Sequence, residues 1–151
     1  MVRRANITDV PGIAGLIKIY ADRGEMLPRP QAQIYSNIRD FVVVEEGDEL
    51  VGCGALHVVW SDIAEVRSLA VAPSHVGKGW GREMVELLLN DAHALGLPKV
   101  FTLTYKPGFF SKLGFRVIDK KELPHKVWAD CLNCPHFPDC DEIAMLLQIT
   151  N

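Results

Sequence analysis

The stretch Val71-Ala-Pro-Ser-His-Val-Gly-Lys-Gly-Trp-Gly81 restricts the possible folds more than any other part of the chain. A strand-like run, Ala64 to Val71, leads into it, and glycines stand at 77, 79 and 81. Apolar residues follow at Met84, Val85, Leu87, Leu88, Leu89, Ala92 and Leu95, a helical period. The reading is strand, glycine loop, helix. Such a loop lets successive backbone N–H groups point at one anion, and the helix N-terminus adds roughly half a positive charge there. Any tight strand-to-helix connection can also use glycines in this way. Two better-defined templates fail: Lys78 precedes Gly79 instead of entering a Gly-Lys-Ser/Thr ending, and no Gly-x-Gly-x-x-Gly is present.

The chain has 151 residues, 48% of them hydrophobic, and a formal net charge of −3, which suits one ordinary globular domain. Basic residues form no long patch, so nucleic acid is not an expected partner. No apolar run approaches the ~20 residues of a membrane helix, and Met1-Val-Arg-Arg-Ala-Asn6 has no signal-peptide core behind it. A cytoplasmic location is expected, with the four cysteines as thiols or metal ligands.

Val2 to Asn6 reads as a strand. Thr8 or Asp9 can cap a helix with Ile13, Leu16, Ile17 and Tyr20 on one face, ended by Gly24. A loop, Met26-Leu-Pro-Arg-Pro30, precedes a second helix to about Asp40. Phe41 to Glu45 and Leu50 to Val59 form a hairpin about Glu46-Gly-Asp-Glu49. Ile63 to Val71 is the next strand, and the long helix runs from about Gly79 to Leu95, with Gly96 as its C-terminal glycine. Strands are expected at 99–104, 115–118 and 143–149, with a helical turn at Phe109 to Leu113. The order βααβββαβαββ predicts an α+β fold, a central mixed sheet flanked by helices.

That order resembles the GNAT family of N-acetyltransferases. The resemblance is carried by Ser68-Leu-Ala-Val-Ala-Pro73 with the loop to Gly81, by Thr102-Leu-Thr104, and by Phe109-Phe-Ser-Lys-Leu-Gly-Phe115. It implies a single acetyltransferase domain over 1–151, with a cysteine-containing C-terminal segment, 120–151. It also implies an acetyl-CoA site whose pyrophosphate lies on the loop and helix N-terminus. Contacts to acetyl-CoA are then expected from Leu69, Ala70 and Val71 on the strand, and from Val76, Gly77, Lys78, Gly79, Trp80, Gly81 and Arg82. Phe110 and Lys112 are expected further along. The family's loop usually opens with Gln or Arg where this chain has Val76. Backbone amides, with Lys78 and Arg82 nearby, are expected to keep the site.

A narrower resemblance is to the short bacterial N-acetylglutamate synthases. Met26-Leu-Pro-Arg29, Cys53-Gly-Ala-Leu56, Glu65-Val-Arg-Ser68 and Leu123-Pro124 carry it. It implies acetylation of the α-amine of an amino acid, L-glutamate above others, and a place in arginine biosynthesis. The two-domain members also have an amino-acid-kinase-like domain, which these residues do not match, so arginine feedback through it is expected to be absent or rebuilt. Their Arg/Ser stretch near the C-terminus is replaced here by the Cys131–Cys140 segment.

Acetyl transfer needs an unprotonated amine, and an α-amine has a pKa of about 8 or above, so a base must take a proton. Glu65 is the candidate base, against the alternative of a solvent-facing strand residue. The oxyanion needs a fixed donor, expected from the N–H of Leu69 or Ala70. Tyr105 or Ser111 can protonate the leaving thiolate. Glutamate brings two carboxylates, which favours cations. Arg29, in its Pro-bracketed loop, is the first choice, followed by Arg67, Lys106 and Lys126, each set against an ordinary surface charge. Leu27, Ser68 and Thr104 match positions lining the glutamate site in the resembled subgroup. Phe110 is either a wall of the site or core packing.

Direct attack in a ternary complex fits better than a covalent acetyl-cysteine, because no cysteine follows the loop or sits beside a histidine at a strand end. Rival readings are a GNAT enzyme for another small amine or a protein N-terminus, and a non-catalytic acetyl-CoA or metal sensor. The expected partners are acetyl-CoA and a small amino acid, with a homodimer left open. Cys131, Cys134 and Cys140 contain a Cys-x-x-Cys knuckle and a third cysteine, which admits a structural zinc, a disulfide, a redox sensor or simple packed thiols. Cys53 is read as a small buried apolar residue, and His57 and His75 as having no obvious partner.

Overall fold

In a computed structural model, which describes residues 1–124 and 142–149, the described strands form one seven-stranded mixed sheet. In chain order the elements are β1 (Val2–Arg4), α1 (Val10–Asp22), α2 (Gln31–Ser36), β2 (Phe41–Glu46), β3 (Glu49–Trp60), β4 (Ile63–Val71), α3 (Trp80–Ala94), β5 (Lys99–Thr104), α4 (Pro107–Ser111), β6 (Arg116–Val117) and β7 (Ile143–Gln148). The strand order is β1-β2-β3-β4-β5-β7-β6. Two compact units are distinguished, Met1–Leu56 with Val66–Asn90, and His57–Glu65 with Asp91–Asn151.

In the first unit β2 is buried from Phe41 to Val44, and pairs antiparallel with β1 (Val2 opposite Val44) and β3 (Phe41 opposite Ala55). Its side chains alternate between the two faces. Phe41 and Val43, with Cys53 and Ala55 of β3, pack against Val10, Ile13, Leu16, Ile17 and Tyr20 of α1 and Ile34 of α2. On the other face a Cβ added at Gly52 would meet Val44 at 3.0 Å and Met84 of α3 at 3.1 Å, so glycine lets α3 approach the sheet closely there. Helices thus cover both faces of this unit.

In the second unit the start of β4 runs parallel to β5 (Ile63 opposite Lys99). β7 lies antiparallel between β5 (Thr104 opposite Ile143) and β6 (Val117 opposite Met145). Ile63, Phe101, Ile118, Leu123, Ala144 and Leu146 form its core.

Of the boundaries that differ from the sequence reading, four have a local cause, while β6 is shorter than expected, Arg116–Val117. β1 stops at Arg4, because Asn6 caps a 3-10 turn, Ile7–Asp9, accepting the Thr8 N–H at 3.0 Å. Neither Thr8 nor Asp9 caps α1 through its side chain. The Asp9 carboxylate is taken by both terminal nitrogens of Arg3, at 2.8 and 2.9 Å, and by the Asn6 N–H at 2.8 Å. The second helix breaks at Asn37, whose amide donates back to the Gln33 carbonyl at 2.9 Å, and resumes as a 3-10 turn over Ile38–Asp40. α4 begins at Pro107, a residue suited to the first turn, two residues before the expected start. Among the described residues no helix is long and apolar enough to cross a membrane.

Candidate acyl-transfer site

β4 ends at Val71, whose carbonyl accepts the Tyr20 hydroxyl at 2.5 Å, and the Ala72 N–H donates to Val51 O at 2.8 Å. A 3-10 turn, Pro73–His75, follows, and then the glycine loop. Gly77 and Gly79 have φ of 89° and 86°, a region glycine enters without strain. The first backbone bond into α3 runs from Glu83 N–H to Gly79 O at 3.1 Å. The amides before it are not used by the helix ladder, and they stand at the positive end of its dipole.

Val76, Lys78 and Arg82 are exposed, as are Gly77 and Gly79; Trp80 and Gly81 are half-buried. Arg82 pairs along the helix with Glu86 at 2.9 Å. Lys78 lies 3.6 Å from Glu46, whose other oxygen accepts the Trp80 indole N–H at 3.1 Å. His75, expected to lack a partner, also reaches Glu46, with 3.0 Å between Nε2 and Oε2.

Before the loop, Ser68 breaks the regularity of β4. Its φ of 56° is the only positive value at a non-glycine position among the described residues, and it is buried. The Cys53 thiol donates to its carbonyl at 3.4 Å and receives the Ala70 N–H. Burial pushes that thiol up to about 12, so Cys53 is a neutral core group, as its apolar surroundings suggest. Of the two amides considered for the oxyanion, that of Ala70 is directed at this sulfur, while Leu69 is half-buried.

One cleft in the first unit is lined by Arg29, Gln33, Ile34, Asn37, Phe41, Arg67 and Ser68. Arg29 arrives from the Pro-bracketed loop before α2, and Arg67 and Ser68 from β4. Three of the residues expected to hold the acceptor therefore share a concavity; Leu27, half-buried on the same loop, is not in its lining. The other candidates belong to the second unit. Glu65 is half-buried and opposite Phe101 in register. Thr104 is buried, its hydroxyl accepting the Lys106 N–H at 2.8 Å, and Tyr105 is half-buried. Phe110 is buried and meets Phe109 and Phe115 edge-on, with ring centroids 5.0 and 5.2 Å apart, a core arrangement. Lys106, Ser111 and Lys112 are exposed. Lys126 and Cys131, Cys134 and Cys140 lie outside the described residues. Among the described residues no group of three or more His, Cys, Asp or Glu side chains is placed to hold a metal ion.

Several residues of the site were not singled out from sequence. Gln33, Asn37 and Phe41 enter the cleft, and Glu46 enters the loop from a hairpin end where it reads as a turn residue. Tyr20 carried a signal: a tyrosine on the buried stripe of α1 needs a partner for its hydroxyl, here the last carbonyl of β4.

The model of the acetyltransferase (GNAT) family matches residues 14–115. An uncharacterized N-acetyltransferase of Chlorobaculum tepidum is 40% identical over 96% of this chain and 94% of its own length. An amino-acid acetyltransferase of Mycobacterium tuberculosis is 42% identical over 79% of this chain and 70% of its own. The crystal structure of N-acetylglutamate synthase from Neisseria gonorrhoeae, complexed with coenzyme A and N-acetyl-glutamate, superimposes with a TM-score of 0.90 at 25% identity. That match covers all of this chain, 100%, and 35% of the synthase.

Proposed function

This chain belongs to the GNAT acetyltransferase family, and on that premise we propose that it transfers acetyl from acetyl-CoA to the α-amine of an amino acid, L-glutamate. It would then supply N-acetylglutamate to arginine biosynthesis. The observation that carries the choice of acceptor is the cleft in which Arg29 and Arg67 stand with Ser68. Two arginines lining one concavity suit an acceptor with two carboxylates better than a cationic or neutral amine. The M. tuberculosis relative, named an amino-acid acetyltransferase, and the gonococcal synthase bound to N-acetyl-glutamate support the same acceptor class.

In the proposed reaction the diphosphate of acetyl-CoA lies on the amides of Gly77 to Arg82. Arg29 and Arg67 hold the carboxylates of glutamate, and Glu65 takes a proton from its ammonium. The free amine attacks the thioester carbonyl carbon, forming the C–N bond. The Leu69 N–H receives the oxyanion. Collapse breaks the C–S bond, Tyr105 donates a proton to the departing thiolate, and the second proton shed by the nitrogen as the amide forms restores Tyr105 through solvent; Ser111, at the exposed end of α4, is the second candidate donor.

The test is thiol release from acetyl-CoA with each common amino acid in turn. Glutamate is expected to be the preferred acceptor, and Arg29→Ala to lower kcat/KM for it by about 100-fold, the loss of a charged hydrogen-bonded contact. No turnover with glutamate beside clear turnover of another amine would overturn the acceptor. Unchanged kcat/KM in Arg29→Ala would overturn the role of the cleft.

A further inference from the structure

The glycine loop is tied to its unit by a side chain that the proposed reaction leaves unused. Glu46 ends β2, just past a shift of register between Val44 and Glu45. Its Oε1 accepts the Trp80 indole N–H at 3.1 Å. Its Oε2 lies 3.0 Å from His75 Nε2 and 3.6 Å from Lys78 Nζ. His75 closes the turn before the loop and Trp80 opens α3, so one carboxylate grips both ends of the segment that contains Gly77 and Gly79.

Charge alone would not place a carboxylate beside a diphosphate site, since the two repel. Geometry accounts for it. Glycines at positive φ lose more freedom on ordering than any other residue, and a loop already held in its bound shape avoids that loss when the ligand arrives. We propose that Glu46 is a positioning residue for the acetyl-CoA loop, acting through His75, Lys78 and Trp80. The proposal rests on the acetyl-CoA reading given above.

The experiment measures coenzyme A affinity by calorimetry, thermal unfolding and steady-state kinetics on the intact chain, three single variants and one double variant. Glu46→Ala is expected to weaken coenzyme A binding about tenfold and to raise KM for acetyl-CoA equally, with kcat and the acceptor KM within about twofold. Glu46→Gln keeps an acceptor for Trp80 and a hydrogen-bonding group for His75, and should recover most of the affinity. Trp80→Phe should weaken binding about threefold, and combined with Glu46→Ala it should add nothing, because Glu46→Ala already removes the link that Trp80→Phe breaks. Wild-type affinity in Glu46→Ala, equal losses in Glu46→Ala and Glu46→Gln, or a fall in kcat with KM unchanged would each overturn the proposal. Should Glu46→Ala not fold, wild-type affinity in Trp80→Phe overturns it instead. An unmodified chain that binds no coenzyme A overturns the acetyl-CoA reading itself, a failure distinct from one seen only in the variants.

Discussion

The Cys53 thiol on β3 donates to the carbonyl of Ser68 on β4 at 3.4 Å, and the same sulfur receives the Ala70 N–H. One buried atom therefore ties the backbone on both sides of Leu69, whose amide is the proposed oxyanion donor. Cys53→Ala strands a buried N–H and should lower stability by about 1–3 kcal/mol. It should also reduce kcat several-fold as the backbone about Ser68 and Leu69 loosens. Cys53→Ser, with a hydroxyl able to make both bonds, should lie closer to wild type. Urea unfolding and steady-state kinetics on the two variants check this; equal behaviour would remove the pinning role.

Ser68 has a φ of 56°, where a side chain costs roughly 1–2 kcal/mol. Ser68→Gly should relieve that strain and raise the thermal midpoint by about 2–4 °C. Ser68 lines the acceptor cleft, so with its hydroxyl deleted KM for glutamate should rise about fivefold, the worth of one neutral hydrogen bond. A stabilised enzyme with a poorer acceptor site is the expected pairing, read from a melting curve and an initial-rate series.

The loop's affinity should depend on backbone shape more than on side chains. Gly79 has a φ of 86°, and valine there costs about 1–3 kcal/mol, or roughly 5- to 150-fold in coenzyme A affinity. Val76 is exposed and has ordinary extended dihedrals, φ −68° and ψ 144°, so Val76→Ala should change affinity less than about threefold. Titration calorimetry separates the two. Comparable dissociation constants would count against an amide cradle.

Near the N-terminus, the hydrogen bond from Arg3 holds the buried Asp9 carboxyl below its ordinary 3.8, against the opposing effect of burial. A carboxyl lowered in the folded state contributes stability above its unfolded value and loses it as pH falls toward the folded one. Asp9→Asn should therefore cost about 1–3 kcal/mol at pH 7. The gap from wild type should narrow once pH drops below about 4. Urea midpoints at several pH values test the sign; a gap that widens in acid would refute it.

The succession of elements was legible because apolar residues repeat with helical or strand periods, from Ile13 to Tyr20 and from Met84 to Leu95. The ends were less so where a side chain competes for backbone groups. Asn6 caps a turn in place of extending β1, and Asn37 folds back on Gln33 and splits the second helix. Arg29, Arg67 and Ser68 could be named from residue type and family resemblance, but their shared cleft depends on how α2 packs beside β4. Glu46 gave no local sign, since its three contacts lie beyond β3 and β4 in the chain. Nothing in Arg67-Ser-Leu69 demands a positive φ at Ser68; that conformation follows from tertiary contacts such as the one with Cys53.

The placement of β7 also governs when the second unit can assemble. Residues 143–148 pair with 99–104 on one side and with 116–117 on the other, so β7, the last of the described strands in chain order, is an interior one. Until it emerges during synthesis, β5 presents an unpaired row of N–H and C=O groups next to apolar Phe101 and Leu103, and the two residues of β6 have no partner. Contacts this distant in sequence form slowly and leave a sticky edge exposed in the interval. The nascent chain thus waits for residues 143–148 before that edge is closed, and a message cut short ahead of Ile143 would yield a product prone to aggregate, not merely an inactive one.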